Sequence, residues 1–272
     1  MKKRILKISA FCLAIVMIAG VCSFANGLVG NPISKWMARY TAEKYLEANL
    51  PDTDYTVETV AYNFKDSGYY ARIVSPSSMD GHFTLRISML GKLRGNDYAS
   101  RVENHGNVAN RLYFEYREMV DSVLKSYAFP YDLSMGYGDL EFDLELGEEP
   151  IEGALLRSDL VNDRFYNVSK LGATNGEIVL YIDSDTVTNE KAAEILLKTK
   201  ELMDGAGISF YSVDFCLRYP PSNTEESYKR PKGEINIRKF LYADIYEDGM
   251  LSRVEKAVED TKNYYEEQDK LK

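Results

Sequence analysis

"YTVETVAYNFKDSGYYARIVSPSSMDGHFTLRISML", residues 55–90, decides how the first half of this 272-residue chain folds. Across its start, Val57, Thr59, Ala61 and Asn63 alternate with Thr56, Glu58, Val60, Tyr62 and Phe64. That period of two belongs to a strand with one face buried. Two more strand-like runs follow at 69–75 and 82–90. The joins, Lys65-Asp-Ser-Gly68 and Ser77-Ser-Met-Asp-Gly81, supply the glycine, aspartate and serine that tight turns need. The stretch reads as an antiparallel meander.

Working outward, Ser34 is the expected cap of a helix over 35–49, with Ala38, Ala42, Tyr45 and Leu46 on its apolar face and Pro51 as its stop. A second helix is expected over about 108–127, where Leu112, Tyr116, Met119, Val120, Val123 and Tyr127 recur at helical spacing. Residues 139–146, Asp-Leu-Glu-Phe-Asp-Leu-Glu-Leu, alternate strictly and predict a fourth strand with one acidic face. Glu141, Asp143 and Glu145 on that face read as a solvated edge that discourages sheet aggregation. Helix, meander, helix and strand make an α+β domain over 34–146.

Gly147-Glu-Glu-Pro150 marks the expected boundary, and a second α/β-layer domain is expected over 151–272. Its elements are a strand at 177–183, a helix at 189–204 capped by Thr188, a strand at 208–219, a polar loop at 220–232, a strand at 234–240 and a helix at 249–268. The fold class is therefore α+β, with two small domains built on antiparallel or mixed sheets. No internal repeat or low-complexity segment stands out.

Residues 1–33 carry a different signal. Lys2, Lys3, Arg4 and Lys7 precede a run that holds no further charge until Lys35. A basic start before an apolar run is the secretory signature, and about 20 apolar residues suffice to span a bilayer. Positive charge stays on the cytoplasmic side, which places everything after the run outside the cytoplasm. Acylation of Cys22, as in a ligand-binding lipoprotein, is disfavoured because Val21 stands where a small residue is required. Ser23-Phe-Ala25 suits an ordinary signal peptidase, but the length of the run favours retention as a single-pass anchor.

The net charge is −9, and without the four basic residues of the start it is −13. So acidic a body repels nucleic acid and anionic surfaces, so no nucleic-acid partner is expected. With Cys12 and Cys22 in the apolar run, Cys216 is alone in the rest, and the fold must stand without an internal disulfide. Near-absence of cysteine in an exported body suggests a bacterial envelope protein.

The basic start and apolar run, Gly30-Asn-Pro32, Lys44-Tyr-Leu46, Tyr69-Tyr-Ala71, Gly176-Glu-Ile-Val-Leu-Tyr181 and Leu241-Tyr-Ala-Asp-Ile-Tyr246 together resemble the YfjL-like family of uncharacterised membrane-anchored proteins of Gram-positive bacteria. The resemblance implies an anchored two-domain protein on the outer face of the membrane. It brings no activity with it.

The sequence presents no recognisable catalytic, cofactor-binding or metal-binding residues. His82 and His105 are the only histidines, and neither has a second ligand at zinc spacing. Glu103 with His105 is read as a polar turn rather than an acid–base pair. Asp183-Ser-Asp185 with Asn189 and Glu190 lacks the glycine and distal glutamate of a calcium loop and is read as helix-start chemistry. Cys216, between Asp214 and Arg218, is read as half-covered and inert. The 21 tyrosines against one tryptophan leave an aromatic binding surface open. The expectation is a non-enzymatic interaction or sensing module at the cell envelope, held by its N-terminal helix, with an envelope protein as candidate partner and no small-molecule ligand identified. An envelope hydrolase with an unrecognised site is the alternative.

Overall fold

The computed structural model describes residues 2–144, 151–224, 227–229 and 233–270, and the chain divides after Asn107 into two units. In the first, α1 (Lys2–Val29) is followed after a sharp break by α2 (Pro32–Asn49). Four strands come next: β1 (Thr56–Asn63), β2 (Gly68–Val74), β3 (His82–Ser88) and β4 (Leu93–Asn96). They pair in sequence order, antiparallel throughout. The meander is as expected, with one strand more: β4 has only four residues and too little pattern to declare itself. α2 lays Ala38, Ala42 and Leu46 on the sheet, against Val57, Val60, Tyr69, Ala71, Ile73, Phe83, Leu85 and Ile87.

Two details differ from the sequence reading. The alternation of β1 is interrupted by a bulge between Val57 and Thr59, so Val57 and Val60 are buried together although they are three apart. A bulge inserts one extra residue and resets which side chains face inward. The cap of α2 is Asn31, not Ser34: Asn31 is extended, its side-chain oxygen accepts from the Ser34 amide at 2.8 Å, and Pro32 opens the helix.

The break between α1 and α2 is built into the sheet. Gly30 adopts φ +71°, a conformation open to glycine, and a Cβ there would collide with Tyr69 and Tyr62. The Tyr69 hydroxyl accepts from the Asn31 amide at 2.9 Å and donates to the Asn31 carbonyl at 2.9 Å. The Tyr62 hydroxyl donates to the Gly27 carbonyl at 2.8 Å. α1 carries the only stretch among the described residues long and apolar enough to cross a membrane, and none of that stretch is buried within the protein.

The second unit contains α3 (Gly106–Leu124), β5 (Asp132–Leu140), α4 (Val168–Asn175), β6 (Gly176–Asp183), α5 (Asn189–Gly205), β7 (Ser212–Arg218), β10 (Glu234–Leu241) and α6 (Met250–Lys270). A short hairpin, β8 (Ser222–Thr224) with β9 (Ser227–Lys229), lies in the stretch read as a polar loop. The sheet order is β10-β7-β6-β5, with β6 and β7 parallel and joined through α5, and the outer pairs antiparallel. One face of the sheet presents Ile178, Leu180, Ile182, Val213, Phe215 and Leu217 to Leu112, Tyr116 and Val120 of α3 and to Ile195 and Leu196 of α5.

The domain boundary expected at 147–150 lies outside the described residues, but the elements before it are placed. α3 supplies the core of the second unit and β5 pairs with β6 along its length, so both belong there rather than with the meander. The expected strand over 139–146 begins where β5 is ending, and residues 145–146 are outside the described set. β5 reads poorly because it is "DLSMGYGDL", with no apolar alternation. Its glycines answer to the helix packed on it: a Cβ on Gly138 would lie 2.6 Å from Val120 and 2.8 Å from Tyr116. Tyr116 in turn is fully buried and donates to the Ser209 carbonyl at 2.9 Å.

Gly172 sets up a direct prediction, since a Cβ there would meet the Ser209 carbonyl oxygen at 1.9 Å, whereas one at Gly205 meets nothing within 4 Å. Gly172→Ala should lower stability by about 2–3 kcal/mol or more. Gly205→Ala, on the last helical residue, should leave it unchanged or raise it by up to about 1 kcal/mol. Urea unfolding of the two variants measures both.

Candidate functional site

The faces of β6 divide its side chains sharply. Ile178, Leu180 and Ile182 enter the core, and Glu177, Val179, Tyr181 and Asp183 lie on the opposite face. There Glu177 is only 9% exposed, deeper than carboxylates are normally found. Its Oε1 is buried and has no hydrogen-bond donor among the described residues. Its neighbours are the carboxyls of Asp214, on β7, and Glu141, just past β5. Burial, reinforced first by Asp214 and then by Glu141, raises the Glu177 pKa well above the ordinary carboxyl range. A bound proton resolves the arrangement, because a neutral carboxyl can donate to a neighbouring carboxylate where a second anion would only repel it.

Backbone geometry holds these groups in place. β10 is bulged between Ile237 and Phe240, and Lys239 there adopts φ +49°, uncommon for a residue with a side chain. Asp214 supports that conformation by accepting from the Lys239 amide at 2.6 Å. Asn175, at the end of α4, donates to the Glu141 carbonyl at 2.7 Å and the Leu155 carbonyl at 2.8 Å, and accepts from the Leu155 amide at 3.1 Å. It thereby laces two otherwise irregular segments to the start of β6. The result is a cavity of about 280 Å³ with Glu141, Glu177, Lys239 and Tyr211 among its polar lining and Phe142 and Leu155 among its apolar walls. Across the β5–β6 ladder from Glu177 stands Asp139, whose pKa is raised by burial as well.

Such a site gathers Glu141, Glu177 and Lys239, with Asp214 beside Glu177, around a partly apolar hollow. A neutral carboxyl donates a hydrogen bond at pH 7, which suits it to hold a polar ligand or to act as a general acid. Among the described residues no group of three His, Cys, Asp or Glu side chains is placed to hold a metal ion.

The residues singled out from sequence sit elsewhere or play other parts. Glu141, read as part of a solvated edge, borders the cavity, because the chain leaves β5 at Leu140 and strand alternation no longer governs its direction. Asp143 is surface-paired to Arg157, which donates through Nε at 2.8 Å, and Glu145 lies outside the described residues. Asp183 is held by Arg218 at 3.1 Å, and Thr188 caps α5 by accepting from the Lys191 amide at 3.2 Å, as helix-start chemistry requires. His82 opens β3 half-buried, and burial, with Arg72 and Arg101 near, lowers its pKa. His105 occupies a left-handed turn at φ +54° just before α3, and Glu103 beside it is exposed. Cys216 is 4% exposed, more deeply covered than expected.

Many tyrosines are committed internally. Arg117 lies over Tyr137, Arg218 over Tyr181, Arg238 over Tyr264, Lys200 over Tyr242 and Arg253 over Tyr246. These cation–π contacts occupy ring faces that a sugar would otherwise stack upon.

Residues 3–118 match the YfjL-like, N-terminal domain, and residues 115–255 match the YfjL-like C-terminal domain. The chain belongs to the YfjL-like family. The two matches meet within α3, far closer to the observed division after Asn107 than to the expected boundary at 147–150. No curated protein and no solved structure matches the chain. The cavity described above falls wholly within the C-terminal YfjL-like domain.

Glu177 gives a pH prediction with a definite sign. Its folded pKa lies above the ordinary value of about 4.3, so the folded state keeps a proton that the unfolded chain releases. Stability from this group is therefore lost as pH rises from the ordinary value through the raised one. Glu177→Gln cannot ionise. Its melting temperature should match that of the wild type near pH 5 and exceed it increasingly toward about pH 8. A variant that differs in stability from the wild type by the same margin at every pH from about 5 to 8 would show that the Glu177 pKa is not raised.

Proposed function

We propose that this YfjL-like protein is a membrane-tethered, extracytoplasmic binding or sensing module of the bacterial envelope, without enzymatic activity. The observation that carries the reading is α1: one apolar helix, preceded by basic residues and followed by both folded units. A single crossing would put both units on one side, and the basic start supports the exterior as that side. The acidic body, at −13 without the start, fits a role in contact with proteins or small polar ligands rather than with anionic polymers. Within that role the Glu177 cavity is the ligand site, and an envelope protein is the candidate partner.

One observation favours a second reading. A buried glutamate whose pKa is raised, with further acidic side chains beside it, is the kind of arrangement that general acid–base hydrolysis uses. The Glu177→Gln variant separates the two readings on purified cell-wall material: a hydrolase loses turnover with this change, whereas a binding module has no turnover to lose.

Orientation is tested by labelling. Asn263 is exposed on α6, and Cys216 is buried. In a background with Cys12 and Cys22 replaced by serine, Asn263→Cys should react with a membrane-impermeant maleimide in intact cells, while the same background without it does not. Reaction only after permeabilisation would place the units in the cytoplasm and end the proposal.

A further inference from the structure

α2 has two unlike faces. One packs on the sheet through Ser34, Ala38, Ala42 and Leu46. The other begins with Ile33, Trp36 and Tyr40, which are 73%, 66% and 52% exposed and sit at helical spacing on a single stripe. The Trp36 and Tyr40 rings stack at 5.8 Å, so the stripe is a preformed aromatic surface. Leu90, 83% exposed at the β3–β4 turn, is held beside it, since the Thr41 hydroxyl donates to the Gly91 carbonyl at 2.6 Å. After Tyr40 the stripe ends, and the helix surface turns to the ion pairs Arg39–Glu43 and Lys44–Glu47.

From these observations we infer that the Ile33–Trp36–Tyr40 stripe, with Leu90, rests on the lipid headgroup layer of the membrane that α1 crosses. The inference rests on the anchored reading given above and adds to it a fixed contact. A bilayer suits this surface better than a protein does. The apolar surface starts within four residues of the end of α1 and is gone about two turns later, so it follows proximity to the membrane. Its chemistry is that of an interfacial belt: tryptophan and tyrosine, with exposed Lys35 on the same helix and Lys92 at the neighbouring turn able to reach lipid phosphates. Finally, Tyr62 and Tyr69 bind the main chain on either side of the break between α1 and α2, so the first unit is fastened to the end of α1 and not hung from a loose linker.

Trp36 is the only tryptophan in the chain, so intrinsic fluorescence of the full-length protein reports on this surface alone. The protein is reconstituted into phosphatidylcholine–phosphatidylglycerol vesicles containing lipid brominated either near the headgroup or deep in the acyl chain, and association is measured separately by flotation. The expected result is a blue-shifted emission, quenched several-fold more by the shallow bromolipid than by the deep one, and shielded several-fold from aqueous iodide. Protein that floats but shows water-like emission, full iodide access and no bromolipid quenching overturns the inference and leaves the anchor intact. Protein that floats with shielded but lipid-insensitive emission, growing with protein-to-lipid ratio, assigns the stripe to a second copy and likewise overturns it. Failure to float removes the anchor and the inference together.

Discussion

The hydroxyl of Tyr69 holds both the amide and the carbonyl of Asn31, and the placement of the whole first unit depends on that contact. Tyr69 is 2% exposed and belongs to the same buried cluster as Ile73, Phe83 and Leu85, so its ring is fixed by the sheet before its hydroxyl reaches the chain break. Gly30 has to be glycine for the approach to occur, and Asn31 has to be extended to cap α2. Three short-range requirements therefore converge on one point. A buried hydroxyl that both donates and accepts has no unmet polar demand, which makes the joint stiff as well as stable.

In the second unit the constraint is close packing around Tyr116. Its ring demands glycine at 138 and 172, and its hydroxyl finds the Ser209 carbonyl. The opposite face of the sheet carries polar groups. Glu177, Asp214 and Glu141 gather there, and the bulge at Lys239 brings a cation to the same hollow. Burial of a proton-bearing glutamate is unfavourable to stability at alkaline pH, and a feature of that kind accompanies functional sites more often than structural ones.

Much of this architecture was legible in residue patterns. The meander, α5 with its Thr188 cap, and α6 follow from periodicity and turn chemistry, because each is governed by one buried face. What escaped reading was set by tertiary contact. β5 has no alternation, since Val120 and Tyr116 crowd Gly138 and Leu133 and Leu124 crowd Gly136, and so the division after Asn107 was hidden as well. The β1 bulge and the Asn31 cap turn on single residues. The Glu177 site was invisible for a plainer reason: Glu141, Glu177, Asp214 and Lys239 are scattered over almost a hundred positions, and only strand pairing brings them together. The one trace was Glu177 itself, an acid at the head of the apolar run Ile178–Val179–Leu180.

The Tyr69–Asn31 contacts lock α2 and the meander to the end of α1. Amide hydrogen exchange at Asn31, measured on the full chain in lipid nanodiscs, addresses that lock directly, because that amide donates to Tyr69 and to no helix of its own. The lock predicts slow exchange comparable to that of the paired β2 amides, and its loss in Tyr69→Phe. Exchange of Asn31 in the wild-type protein at the rate of an unstructured peptide would contradict it.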